Sequence, residues 1–258
     1  MAKIKVLHKV VADQIAAGEV VERPASVVKE LIENSIDAGA DQITLEIDGG
    51  GVGRIRIRDN GVGFESDEVE TAFLRHATSK ISNIEDLNAI ASFGFRGEAL
   101  ASIASVAKVT VHTRVKDAVA GTRLHIEAGE VIEKREAASP VGTDFEVRDL
   151  FYNVPARLKF LKKESTESSQ CIEALVRMAL VRPDVAFNVI SNGRKVRELV
   201  KVTDATERVK ALFSSETLAM TEGEENGVSV RAVLGAPERA RAGAGSLYTY
   251  VNGRYIRD

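Results

Sequence analysis

The spacing of hydrophobic and polar positions changes period several times along this chain, and each change marks an element. Residues 11–17 are rich in alanine, which predicts a helix with a stop at Gly18. A second helix starts at Pro24, where a missing N–H costs nothing, and ends at Gly39. Within it Val28, Leu31, Ile32 and Ile36 recur on one side, while Glu30, Asn34 and Asp37 share the other. The period then falls to two. Ile43, Leu45 and Ile47 alternate with polar residues, Gly49-Gly50-Gly51 turns the chain, and Ile55 and Ile57 alternate with Arg54, Arg56 and Arg58. That pattern predicts a hairpin.

Ser66 is placed to cap a short helix through Leu74. Residues 75–96 show little periodicity and read as a long loop, of the kind that is functional or disordered. A helix follows from Gly97. Strands are expected at 108–113, 123–127, 131–135 and 143–150, helices near 157–163 and 167–181, and a hairpin around Asn192-Gly193. The pattern restarts near Thr203 with a helix to Phe213 and further strands. This divides the chain into a first domain, 1–203, and a second, 204–258. Hairpins mixed with helices predict an α+β layered sandwich, not a doubly wound parallel sheet.

Composition narrows the function classes. Hydrophobic residues at 44% and charged residues at 28% are the balance of a globular protein. A net charge of -3 means that any acidic polymer must meet a local basic patch. The single cysteine, Cys171, excludes an internal disulfide framework and a cysteine metal cluster. The start of the chain lacks the apolar core of a signal peptide, and no apolar run is long enough to span a bilayer. The expected location is cytosolic, with no membrane contact.

Three stretches carry candidate chemistry. On the second helix, Glu30 could orient a water while Asn34, one turn on, offers an uncharged amide oxygen to Mg²⁺; alone, the same face could simply be solvated. Asp59-Asn60-Gly61-Val62-Gly63 follows a strand. It could be an ordinary turn, or Asp59 could accept a hydrogen bond from an adenine amino group while the glycines let the backbone approach the base. Phe93-Gly94-Phe95-Arg96-Gly97-Glu98-Ala99-Leu100 opens a helix whose free N–H groups would attract phosphate, or is a plain loop-to-helix junction. No G-x-x-x-x-G-K-[ST] run exists, so a P-loop is excluded, and the glycine spacing is not that of a dinucleotide-binding fold. Thr78, Ser79 and Lys80 put two hydroxyls and an amine in the long loop, and Gly142-Thr143 opens a strand.

The order of these pieces resembles the motif order of the GHKL ATPases. Longer runs are similar to the MutL/PMS DNA mismatch-repair family in particular. They are QIAAGEVVERPASVVKEL over 14–31, RHATSK over 75–80, GFRGEALASI over 94–103, LFYNVPAR over 150–157 and VNGR over 251–254. The resemblance spans nearly the whole chain. It implies a two-layer ATPase sandwich of a mixed sheet with helices on one face, followed by part of a ribosomal-S5-like domain.

By that resemblance Glu30 is the general base for the attacking water and Asn34 holds Mg²⁺. Asp59 reads adenine with Thr143, and Lys80 with the amides of Gly97 to Leu100 contacts the phosphates of ATP under a folding lid. The expected nucleotide site also includes Asp37, Ala38, Gly63, Phe64, Thr78, Ser79, Gly94, Phe95, Arg96, Glu98 and Ala99. Implied partners are a second copy of the chain in an ATP-dependent homodimer, to which residues 1–20 contribute, a MutS-type mismatch-recognition protein, and DNA held through its backbone. Arg157, Lys159, Lys162 and Lys163 form one basic cluster, and Arg254 and Arg257 another.

The family's γ-phosphate lysine lies beyond the stretch resembling VNGR, so no residue here matches it. The sequence therefore reads as an N-terminal fragment whose turnover is expected to be weak. A gyrase-type ATPase is disfavoured by the mismatch-repair runs, and a histidine kinase by the settings of His8, His76, His112 and His125. A nucleotide-sensing clamp without catalysis stays open as the alternative.

Overall fold

The structure, a computed structural model, describes residues 5, 9–79, 93–94, 97–213, 218–239 and 247–256, with backbone only for 9–13 and 239. Eight strands form one sheet: β1 Gln42–Asp48, β2 Arg54–Asp59, β3 Lys108–Arg114, β4 Gly121–Glu127, β5 Glu130–Ala137, β6 Gly142–Arg148, β7 Ala186–Ser191 and β8 Arg194–Leu199. Their order is β5-β4-β3-β6-β2-β1-β7-β8. All neighbours are antiparallel except β1 and β7, which makes the sheet mixed. The helices are α1 Lys9–Val20, α2 Pro24–Asp37, α3 Ala99–Ser105, α4 Pro155–Leu158, α5 Glu164–Val181 and α6 Ala205–Phe213. Two further hairpins follow, β9 Leu218–Glu225 with β10 Val228–Gly235, and β11 Thr249–Val251 with β12 Arg254–Ile256.

Register explains where the core sits. Ile47, Ile55, Val147, Val109 and Ile126 lie in one cross-strand row, and Leu45, Ile57, Phe145, Val111 and Leu124 in the next. All ten are buried; α2 and α3 pack over these strands, α1 rests on α3, and α5 rests on α2 and β7. The helices thus cover one face, as the α+β sandwich reading expects. The third row on this face is different: Ile43, Asp59, Thr143, Thr113 and Thr122. The apolar layer ends there.

α6 docks on α5 and β8. Its Leu212 joins the core, and the buried Arg208 donates to the carbonyls of Pro183 (2.8 Å) and Val185 (2.7 Å).

Three local expectations are corrected. Gly18 does not stop α1, which runs on to Val20. The glycine instead makes room for an incoming side chain: a Cβ there would lie 2.0 Å from Nη2 of Arg157. Arg157 donates to the backbone oxygens of Gln14 (2.8 Å) and Val21 (3.4 Å), and sits over the Phe151 ring. It ties α1 to the body and so leaves the basic cluster, in which Lys159, Lys162 and Lys163 remain exposed.

The helix expected from Ser66 to Leu74 is a set of turns ending in one 3-10 turn, Thr71–Phe73. Glu65, Asp67, Glu68 and Glu70 would place like charges at i,i+3 in a helix. Burial of Val69 and stacking of Phe73 on Phe145, at 5.9 Å, hold the segment instead. The helix expected near 157–163 is the single turn α4, after which Phe160 is exposed and offers no apolar anchor to extend it.

Candidate functional site

α2 carries two faces for two purposes. Val27, Val28, Leu31, Ile32 and Ile36 are buried in the core. Glu30, Glu33, Asn34 and Asp37 line a cleft of about 1020 Å³. Its lining also includes Gly63, Phe64, Thr78 and Ser79, Gly94, and Gly97, Glu98, Ala99 and Leu100 where α3 begins. The floor is the polar end of the sheet, with Asp59 and Thr143 beside Ala38.

Asp59 is fixed by three donors. Its Oδ1 accepts the amides of Gly61 (2.9 Å) and Thr143 (3.3 Å), and its Oδ2 accepts the hydroxyl of Ser35 (2.8 Å). A carboxylate oxygen has room for two donors, so Oδ2 keeps one direction for a group entering the cleft. Burial pushes the pKa of Asp59 up, against the pull of its three donors. The adjoining loop is stitched down on both sides: Val62 N–H donates to Ala38 O (3.0 Å) and Phe64 N–H to Thr113 Oγ1 (2.9 Å). Gly63 has a positive φ of 76°, and a Cβ there would meet Arg114 O at 2.5 Å, so only glycine fits this crossing. Asn60 turns away and caps the start of β1, accepting the amides of Asp41 and Gln42, both at 3.0 Å.

On α2, Lys29 Nζ lies 2.8 Å from Glu30 Oε1 and 3.0 Å from Glu33 Oε2. Burial raises the pKa of Glu33 to about 7, with Lys29 opposing and Glu30 and Asp37 assisting. Asp37 accepts the amides of Phe93 (3.1 Å) and Gly94 (3.3 Å), both of which line the cleft. His76 N–H donates to Gly97 O (3.0 Å), which joins two further residues of the lining.

Residues 22–148 match the family described as histidine kinase-, DNA gyrase B- and HSP90-like ATPase. The chain is 44% identical over 99% of its length to the DNA mismatch repair protein MutL of Syntrophus aciditrophicus. It is 46% identical over all of its length to that of Pelotomaculum thermopropionicum. It spans 42% and 43% of those two proteins. Among solved structures, the Aquifex aeolicus MutL ATPase domain complexed with ADP matches with a TM-score of 0.75 at 35% identity. That match covers 93% of this chain and 85% of the other. The chain belongs to the MutL family of DNA mismatch-repair proteins.

Its sheet and helices are the GHKL ATPase fold of the MutL ATPase domain. Of the residues expected at the site, Glu30, Asn34, Asp37, Ala38, Asp59, Gly63, Phe64, Thr78, Ser79, Gly94, Gly97, Glu98, Ala99, Leu100 and Thr143 all line the one cleft. Lys80, Phe95 and Arg96 lie outside the described residues, as does Arg257. Sequence reasoning missed Lys29, Glu33 and Ser35, which line the cleft, and Thr113, which holds Phe64 in its wall. Lys29 and Glu33 were visible as an i,i+4 pair beside Glu30, whereas Ser35 and Thr113 needed the fold.

Proposed function

We propose that this MutL-family chain binds Mg-ATP in the cleft and hydrolyses it. The observation that carries the reading is the convergence of α2, the loop after β2, the start of α3 and the start of β6 on one cavity. Asp59 Oδ2 and Thr143 receive the adenine edge, and Glu30 takes the proton of the attacking water. The first N–H groups of α3 have no acceptor within the helix and face the phosphates.

The donor set suits a divalent cation. Glu30, Glu33, Asp37 and Glu98 make the cleft acidic, so a triphosphate enters with a counter-ion. Among the described residues there is no cluster of three or more acidic, histidine or cysteine ligands. An Mg²⁺ here would take the Asn34 amide oxygen and otherwise phosphate oxygens, and would neutralise charge on the transferring group.

The ATP state then drives pairing of two N-terminal regions around DNA. Lys159, Lys162 and Lys163 offer salt-sensitive, sequence-indifferent contacts to phosphate. A MutS-type mismatch-recognition protein is the partner this reading expects, in the cytoplasm. No helix among the described residues is long and apolar enough to cross a membrane. A division at 203/204 belongs to the same proposal, with α6 docked on the first unit.

Two substitutions test the reading. Glu30→Ala should keep ATP affinity and lose phosphate release by about 10²-fold or more. Asp59→Asn turns an acceptor into a donor facing the adenine amino group and should weaken ATP binding about 100-fold. Phosphate release at the unmodified rate from Glu30→Ala would remove Glu30 as the general base. Unchanged affinity in Asp59→Asn would remove the base assignment.

A further inference from the structure

Among the described residues, Glu30 is held by one oxygen. Lys29 Nζ takes Oε1, and among the described residues no group bonds Oε2. The same ammonium reaches Glu33 Oε2, one turn along α2, where Glu33 is buried. An ammonium has three donors, so it serves both carboxylates and keeps one for solvent. We propose that Lys29 is a positioning residue for hydrolysis: anchored on Glu33, it clamps one oxygen of Glu30 and leaves the other free for the water. This rests on Glu30 acting as the base.

The geometry separates this from an ordinary surface pair. Lys29 and Glu33 sit at i,i+4, a spacing that supports a helix whatever the function. Lys29 and Glu30, however, are adjacent in sequence, and their side chains leave the helix about 100° apart. The 2.8 Å contact therefore draws the two side chains towards each other at the cleft, which both residues line. The glutamate side chain has several rotors, and fixing one oxygen removes most of its alternative orientations.

The test uses this chain with Mg-ATP, measuring single-turnover hydrolysis and ATP affinity separately. Lys29→Met should lower the hydrolysis rate about tenfold, a part of the 10²–10⁴-fold that a general base supplies, with affinity changed less than about twofold. Lys29→Arg, which can still reach both carboxylates, should recover most of the loss. Glu33→Ala, which removes the anchor and keeps the lysine, should cost about threefold. In a Glu30→Ala background, Lys29→Met should add no further loss. Without nucleotide, the carboxyl ¹³C resonance of Glu30 should move in Lys29→Met and stay in a Lys210→Met control, at an exposed lysine of α6.

A Lys29→Met chain that hydrolyses at or above the unmodified rate overturns the proposal, as does a loss confined to ATP affinity. If Glu30→Ala itself hydrolyses normally, the underlying assignment of the base fails instead, and the two failures are distinguishable.

Discussion

The two faces of the eight-stranded sheet come from the same strands and alternate residues, yet they obey different chemistry. The covered face is aliphatic for two rows and then polar, at Asp59, Thr143, Thr113 and Thr122. The open face is a ladder of opposite charges. Arg54 pairs with Glu46 and Asp48, Arg56 with Asp144, and Arg148 with Glu146. Charge on the open face is paired, and where it is also well exposed, as at Arg148, the pair gains little. On the covered face a polar group must be paid for in hydrogen bonds, and Asp59 has three. The lesson is positional: the site lies where the aliphatic rows run out, because there a carboxylate can be buried, held and still face a cavity.

Substitutions on each face sharpen this contrast. The largest effect is expected in the aliphatic rows. Leu45→Ala removes a fully buried side chain from a central strand and should lower unfolding stability by about 2–5 kcal/mol in denaturant titration. A loss under about 1 kcal/mol would mean that the covered face is not the core.

Glu33, at the edge of the covered layer, should show a smaller, pH-dependent effect. Its pKa is 4.5 ordinarily and about 7 when folded. The folded state therefore holds this proton more tightly. Stability is complete below pH 4.5, declines as pH rises towards about 7, and is flat above. Glu33→Gln should therefore stabilise the chain by about 1–3 kcal/mol at pH 8 and by nothing measurable at pH 4. Equal effects at both pH values would contradict the cost of burying the charge.

The smallest effect is expected on the open face. Arg148→Ala breaks a pair with Glu146 in which the arginine side chain is 54% exposed, and should change stability by less than about 0.5 kcal/mol. A larger cost would show that the ladder contributes to the fold.

Much of the fold was legible in the sequence because it rests on local period. The alternation at Ile43, Leu45 and Ile47, the Asn192-Gly193 turn and the two sides of α2 each identify an element without tertiary knowledge. Features that depend on distant partners were not legible. Gly18 reads as a helix stop until Arg157 is seen to occupy its space. The acidic run from Glu65 reads as a capped helix until Val69 and Phe73 pack separately. At the site, residue types that need one chemistry stood out, such as Glu30, Asn34 and Asp59. Ser35 and Thr113 did not, since a serine one turn from Leu31 and a threonine ending a strand look the same with or without a neighbour to hold.

The most direct test is a crystal structure of the chain grown with Mg²⁺ and a non-hydrolysable ATP analogue. The account predicts the adenine amino group on Asp59 Oδ2, the metal on the Asn34 side-chain oxygen and the phosphates against the start of α3. A nucleotide seated elsewhere, or one whose base avoids Asp59, would contradict it.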